Sequence, residues 1–85
     1  MLNNKETLIK TLRYRSMHRG CKETDILLGK FVKNQINTFG DKELSLYSEL
    51  ILEDDAMIYD WILYKTLVPN KYQNLVKNIR QFHSL

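Results

Sequence analysis

The sequence predicts an all-α fold: a compact five-helix bundle forming one domain over residues 1–85. Three observations lead there. Apolar residues recur three and four positions apart along most of the chain, the spacing of helices with one face turned inward. Only three glycines and one proline interrupt it, too few for a turn-rich β architecture. The breaks between periodic segments are short, as between neighbouring helices of a bundle. A chain this short buries about 60–65% of its unfolded surface, so it holds one core and little room for a deep substrate cavity.

The first helix is expected to start after Asn3 or Asn4, either of which can cap it, with Leu8, Ile9 and Leu12 as its inner stripe. It is expected to run to Gly20, taking a left-handed conformation that ends the helix. The second helix has the clearest pattern: Leu28, Phe31, Val32, Gln35, Ile36 and Phe39, ended by Gly40. Asp41 is the expected N-cap of the third, which carries Leu44, Tyr47, Leu50 and Ile51. Glu53-Asp54-Asp55 breaks that pattern, and either aspartate can cap a short fourth helix presenting Ile58, Trp61, Ile62 and Lys65. Val68-Pro69-Asn70 is a stop followed by a cap. The fifth helix then carries Tyr72, Leu75, Val76, Ile79 and Phe82.

The lone Cys21 allows no internal disulfide and excludes a four-thiolate zinc site. Residues 1–7 resemble neither a signal peptide nor a transit peptide. No apolar run approaches the roughly 20 residues that span a bilayer. A soluble protein without membrane insertion is expected, cytosolic if bacterial. The net charge of +3 conceals three blocks: +5 over residues 1–40, −6 over 41–60 and +4 over 61–85. Such segregation suits recognition of a charged partner, or blocks that neutralise one another within the fold.

Catalytic chemistry finds little support. His18 and His83 sit at opposite ends, and no nucleophile elbow or phosphate loop occurs. His18 and Cys21 are two metal ligands without a second pair. The Glu53-Asp54-Asp55 run lacks the turn glycine of a cation loop and reads as a helix-capping acidic turn. Trp61 lies on the apolar stripe with Ile58, as a core residue would; Tyr59 lies off it. Arg13, Arg15, His18, Arg19 and Lys22 form a basic segment, but the helix after it is apolar from Leu27 to Phe31, unlike a duplex reader. No nucleic-acid partner is expected.

That leaves the corner Arg19-Gly20-Cys21-Lys22-Glu23-Thr24-Asp25. Much of it reads as helix punctuation: Arg19 in a last turn, Gly20 as terminator, Glu23 and Asp25 in a first turn. Punctuation does not explain why guanidinium, imidazole and carboxylate groups crowd one tight turn. A glycine corner lets another backbone approach, and arginines can pair with carboxylates. The combination suits docking.

With their spacing, Arg13, Arg15, Ser16, His18, Arg19, Gly20, Lys22, Glu23, Asp25, Leu28, Gly29 and Phe31 resemble the signature of the succinate dehydrogenase flavinylation and assembly factor family. A second block resembles it too: Tyr47, Leu50 and Ile51, the acidic turn, then Tyr59-Asp60-Trp61-Ile62. The similarity covers about residues 8–65, and the C-terminal helix agrees only in pattern. It implies a non-enzymatic five-helix factor that binds the flavoprotein subunit of succinate dehydrogenase, and in some bacteria that of fumarate reductase; a monomer is expected. The factor promotes covalent attachment of FAD to a histidine of that subunit. It supplies no catalytic residue and holds no stable cofactor of its own; the histidyl–flavin bond forms autocatalytically. Arg19, Gly20 and Glu23 match the family's functional motif, and Arg15, Ser16, His18 and Asp25 match its flanks, so these seven are the implied partner-binding residues. One departure is Ala56, where proline is common. The chain also lacks the N-terminal extension of mitochondrial members, which points to a bacterial, cytoplasmic factor. The competing reading is a small nucleic-acid-binding or toxin-neutralising helical module.

Overall fold

Apolar spacing and short connections yield five α-helices in the computed structural model, which describes residues 4–85: α1 (Asn4–Met17), α2 (Lys22–Gln35), α3 (Asp41–Leu50), α4 (Asp55–Ile62) and α5 (Gln73–Phe82). One-turn 3-10 helices, Ile36–Thr38 and Asn70–Tyr72, follow α2 and precede α5. Among the described residues there is no strand. The cap expected at Asn3 lies outside the described residues; Asn4 is already helical.

The predicted stripes meet in one core. Leu28, Val32 and Ile36 from the second segment, Leu44, Tyr47 and Leu50 from α3, Ile58 and Ile62 from α4, and Val76 and Ile79 from α5 are sealed from solvent. Phe31 is an aromatic hub, with ring centroids 5.8 Å from Phe39, 6.4 Å from Tyr47 and 5.7 Å from Phe82. Trp61 is buried as its place on the stripe predicts, 5.6 Å from Tyr72. Tyr59 is half-buried, and Lys65 lies exposed beyond the end of α4 rather than on its inner face. α1 is the thinnest contributor, fully burying Leu12 and Ser16 with Leu8 and Ile9 packed against the core edge.

The helix ends differ from expectation for identifiable reasons. α1 stops at Met17, because the Arg19 backbone N–H leaves the helical ladder and donates to Asp25 Oδ1 at 2.6 Å. Arg19 therefore lies past the last turn, which holds Arg15. Neither Gly20 nor Gly40 adopts a positive φ. α2 gives way at Gln35, whose carbonyl accepts from the Thr38 hydroxyl at 2.6 Å, a local bond that competes with the helix. Gly40 is the N-cap of α3, φ −78°, with Asp41 the first helical residue; Glu43 reaches back toward the Gly40 N–H. Asp54 is the N-cap of α4, and its carbonyl takes the Ile58 N–H at 3.0 Å.

Side-chain latches join the layers. His83 Nε2 lies 2.7 Å from the Leu27 carbonyl, tying the end of α5 to α2. The Tyr72 hydroxyl donates to Glu53 Oε2 at 2.8 Å, tying the start of α5 to the acidic turn. Burial, then the bond to Glu53 and the negative charges of Glu53 and Glu49, push the Tyr72 hydroxyl up to about 12. Below about pH 10 Tyr72 is protonated in folded and unfolded chains alike, and its contribution to stability is complete. As pH rises from about 10 through 12 the unfolded chain ionises first, so stability falls. Denaturant titrations across that range are expected to show this fall, with a shallower slope for Tyr72→Phe; an unchanged slope would place its origin elsewhere.

Candidate functional site

The corner between α1 and α2 is built around a side chain that turns inward. Arg19 Nε pairs with Asp55 Oδ1 in an ion pair, and the Arg19 side chain keeps 10% of its surface exposed. Arg19 Nη1 donates to the Ile51 carbonyl at 2.7 Å, and Nη2 to the Glu53 carbonyl at 3.0 Å. One planar guanidinium thus serves three acceptors on the turn between α3 and α4, a geometry that lysine's point charge cannot reproduce. Those carbonyls follow the end of α3, where helix carbonyls otherwise lack partners. Thr24 is fully buried beside them, its hydroxyl 3.5 Å from the Asp55 carbonyl.

Ser16 is also inside. Its Oγ lies 2.6 Å from the Tyr47 hydroxyl, and no Ser16 surface is exposed. Burial raises the Tyr47 hydroxyl above its usual range, an effect opposed by Ser16 and by the nearby Arg19 charge. The expectation that Ser16 touches a partner does not suit this placement: its hydroxyl is spent on α3. Asp25 is half-buried and closes the corner through the Arg19 N–H.

Gly20, Glu23, Arg15 and His18 face solvent. The His18 ring rests on the exposed Tyr14 ring, centroids 4.3 Å apart. Glu23 Oε2 accepts from Cys21 Sγ at 3.2 Å. Its own backbone N–H and then the thiol hold its carboxyl below the usual range, keeping Glu23 an anion at neutral pH.

The motif's two glycines do different work. A Cβ on Gly29 would lie 3.3 Å from Met17 Cγ and 3.8 Å from Met17 Cα, so this buried glycine lets α2 pack closely on α1. A Cβ on Gly20 would meet only Asp55 Oδ2 at 3.9 Å, an ordinary contact. With no positive φ either, the chain's own fold does not require a glycine at position 20.

Sequence reasoning separated these residues by type but not by direction. It read Arg19 as a docking arginine and the acidic turn as a cap, and missed that they join. The opposite signs of the two blocks were the available signal; the two carbonyl acceptors left none. Three open clefts of the described surface, of about 390 to 600 Å³, are lined by other residues. Among the described residues, no helix is long and apolar enough to cross a membrane.

The chain is similar to known proteins over most of its length. A family model described as "Flavinator of succinate dehydrogenase" matches residues 10–83. The chain is 37% identical over 78 residues to the mitochondrial succinate dehydrogenase assembly factor 2 of Dictyostelium discoideum, covering 92% of this chain and 55% of that protein. It is 27% identical over 82 residues to the FAD assembly factor SdhE of Coxiella burnetii, covering 95% of this chain and 99% of that one. The chain thus spans about half the length of the mitochondrial relative and nearly all of the bacterial one.

The inward and outward residues should separate in stability measurements. Arg19→Ala leaves Asp55 and two carbonyls unserved and is expected to cost about 3 kcal/mol. At roughly 4–8 °C per kcal/mol for a domain of this size, the thermal midpoint falls by at least about 12 °C. Gly20→Ala is expected to stay within about 0.5 kcal/mol of the parent chain. Equal midpoints for Arg19→Ala and Gly20→Ala would refute the division.

Proposed function

The chain belongs to the family of flavinators of succinate dehydrogenase, and we propose that it binds the flavoprotein subunit of that enzyme and promotes covalent attachment of its FAD. The observation that carries the docking site is Gly20. It is exposed, and nothing within the chain demands its missing side chain. A glycine so placed serves an approach from outside, where a partner's backbone comes too close for a Cβ.

Around it, Glu23 offers a fixed anion, and Arg15 and His18 offer donors, each exposed. Arg19 and Asp25 act one layer behind, holding the corner's shape against the acidic turn. Ser16 supports it from the core. A rigid corner loses little conformational entropy on docking, which favours affinity.

The factor's contribution is to hold the flavoprotein in a state where its own histidine and FAD react, with no catalytic group supplied by this chain. It keeps no cofactor and acts on the partner's FAD. A client range extending to fumarate reductase, a monomeric state and a bacterial cytoplasmic setting belong to the same reading.

The test is co-expression with a succinate dehydrogenase flavoprotein subunit in a host lacking its own factor, reading covalent flavin by fluorescence of the denatured subunit. Gly20→Arg is expected to reduce it to the level without any factor, while helicity and thermal midpoint stay those of the parent. Full flavin content with Gly20→Arg would overturn the corner as the docking site.

A further inference from the structure

Residues 61–85 carry four Lys/Arg and no Asp/Glu, and the corner uses none of them. Three of the four, Lys65, Lys77 and Arg80, line one open cleft of about 600 Å³ between the α4–α5 connection and α5. No carboxylate residue lines it. Opposed charges that met inside the fold would leave these cations paired, and here they are not: Lys65 lies over the Tyr59 ring at 5.2 Å, and Arg80 stacks on the Tyr64 ring at 3.7 Å.

Arg80 is the positioned member. Its Nη2 donates to the Trp61 carbonyl, and its Nε is sealed from solvent without a partner. A guanidinium held this way on a ring has lost its side-chain freedom already and presents a fixed positive charge to an incoming group.

Tyr64 is where the chain departs from its own local rules. It has φ 63°, in the left-handed region, at the position just past α4 where glycine is the usual residue. The Lys65 N–H returns to the Asp60 carbonyl at 2.8 Å and completes that helix end. An aromatic residue there costs of order 1 kcal/mol or more, yet Tyr64 as a residue is 63% exposed. Beside it, Leu67 is 95% exposed, more than any other large apolar side chain among the described residues. Cations, an open ring and an uncovered leucine thus share one concave surface, with the first residues of α5, Gln73 and Asn74, on its wall.

We propose that this cleft is a second docking site, which takes an extended acidic segment of a partner protein. Carboxylates of the segment meet Lys65, Lys77 and Arg80, and an apolar side chain between them covers Leu67 and the free part of the Tyr64 ring. The inference is independent of the corner. Gly20 lies outside the cleft, so Gly20→Arg leaves this site intact, and the two readings fail separately.

The experiment uses the full chain and a fluorescein-labelled peptide of alternating Glu and Asp around a central Leu-Phe pair, read by anisotropy. The control peptide has Gln and Asn in place of every acid. The acidic peptide is expected to bind with an affinity that falls as salt rises, and the control to bind at least about tenfold more weakly. The double variant Lys65→Glu, Lys77→Glu is expected to weaken binding by about tenfold or more, and Gly20→Arg to leave it unchanged. Tyr64→Gly separates binding from folding: the thermal midpoint holds or rises while affinity falls. Absence of binding, equal binding of the neutral peptide, or insensitivity to the charge reversal would overturn the proposal. So would tighter binding of a single-stranded oligonucleotide than of the peptide, or a Tyr64→Gly midpoint lowered with affinity retained.

Discussion

The Arg19 guanidinium joins parts of the chain more than thirty residues apart, and the site's geometry depends on it. α1 ends just before it, where the Arg19 backbone N–H leaves the helical ladder for Asp25. The guanidinium holds carbonyls that the end of α3 leaves without partners, and it meets the acidic block through Asp55. Removing it would leave the corner without its support on the opposite side of the fold. A charge-assisted, multiply bonded arginine is among the strongest polar joints available to so small a core.

This placement divides the motif by depth. Ser16, Thr24 and the Arg19 side chain belong to the interior or its edge; Gly20 and Glu23 project outward. Arg19 and Gly20 therefore differ in physical content: a joint within the fold in one case and an open surface in the other. Gly29 adds a third kind of constraint, the close approach of two helices, which has nothing to do with a partner.

The basic C-terminal block stands apart from that joint. The acidic turn is engaged by Arg19 and by the Tyr72 hydroxyl, whereas Lys65 and Arg80 lie on aromatic faces and line an open cleft. Charge segregation along the chain thus has two outcomes, neutralisation at one seam and an uncompensated surface at another. Composition alone left both outcomes open.

By itself the sequence determined the helical class, the number of helices and nearly every buried position, because an apolar side chain at helical spacing has little choice about where it points. Its motifs also carried the family. The tertiary structure decided the direction of the polar groups. An arginine's flexible stem can reach solvent or a distant carbonyl equally well, and only the packing of α3 and α4 against the corner supplies the acceptors that draw it inward. It also decided which glycine the fold needs, since close approach depends on neighbours in space. Helix ends moved for the same reason: the hydroxyl and carboxylate bonds that end α1 and α2 compete with the helix on terms that local propensity does not contain.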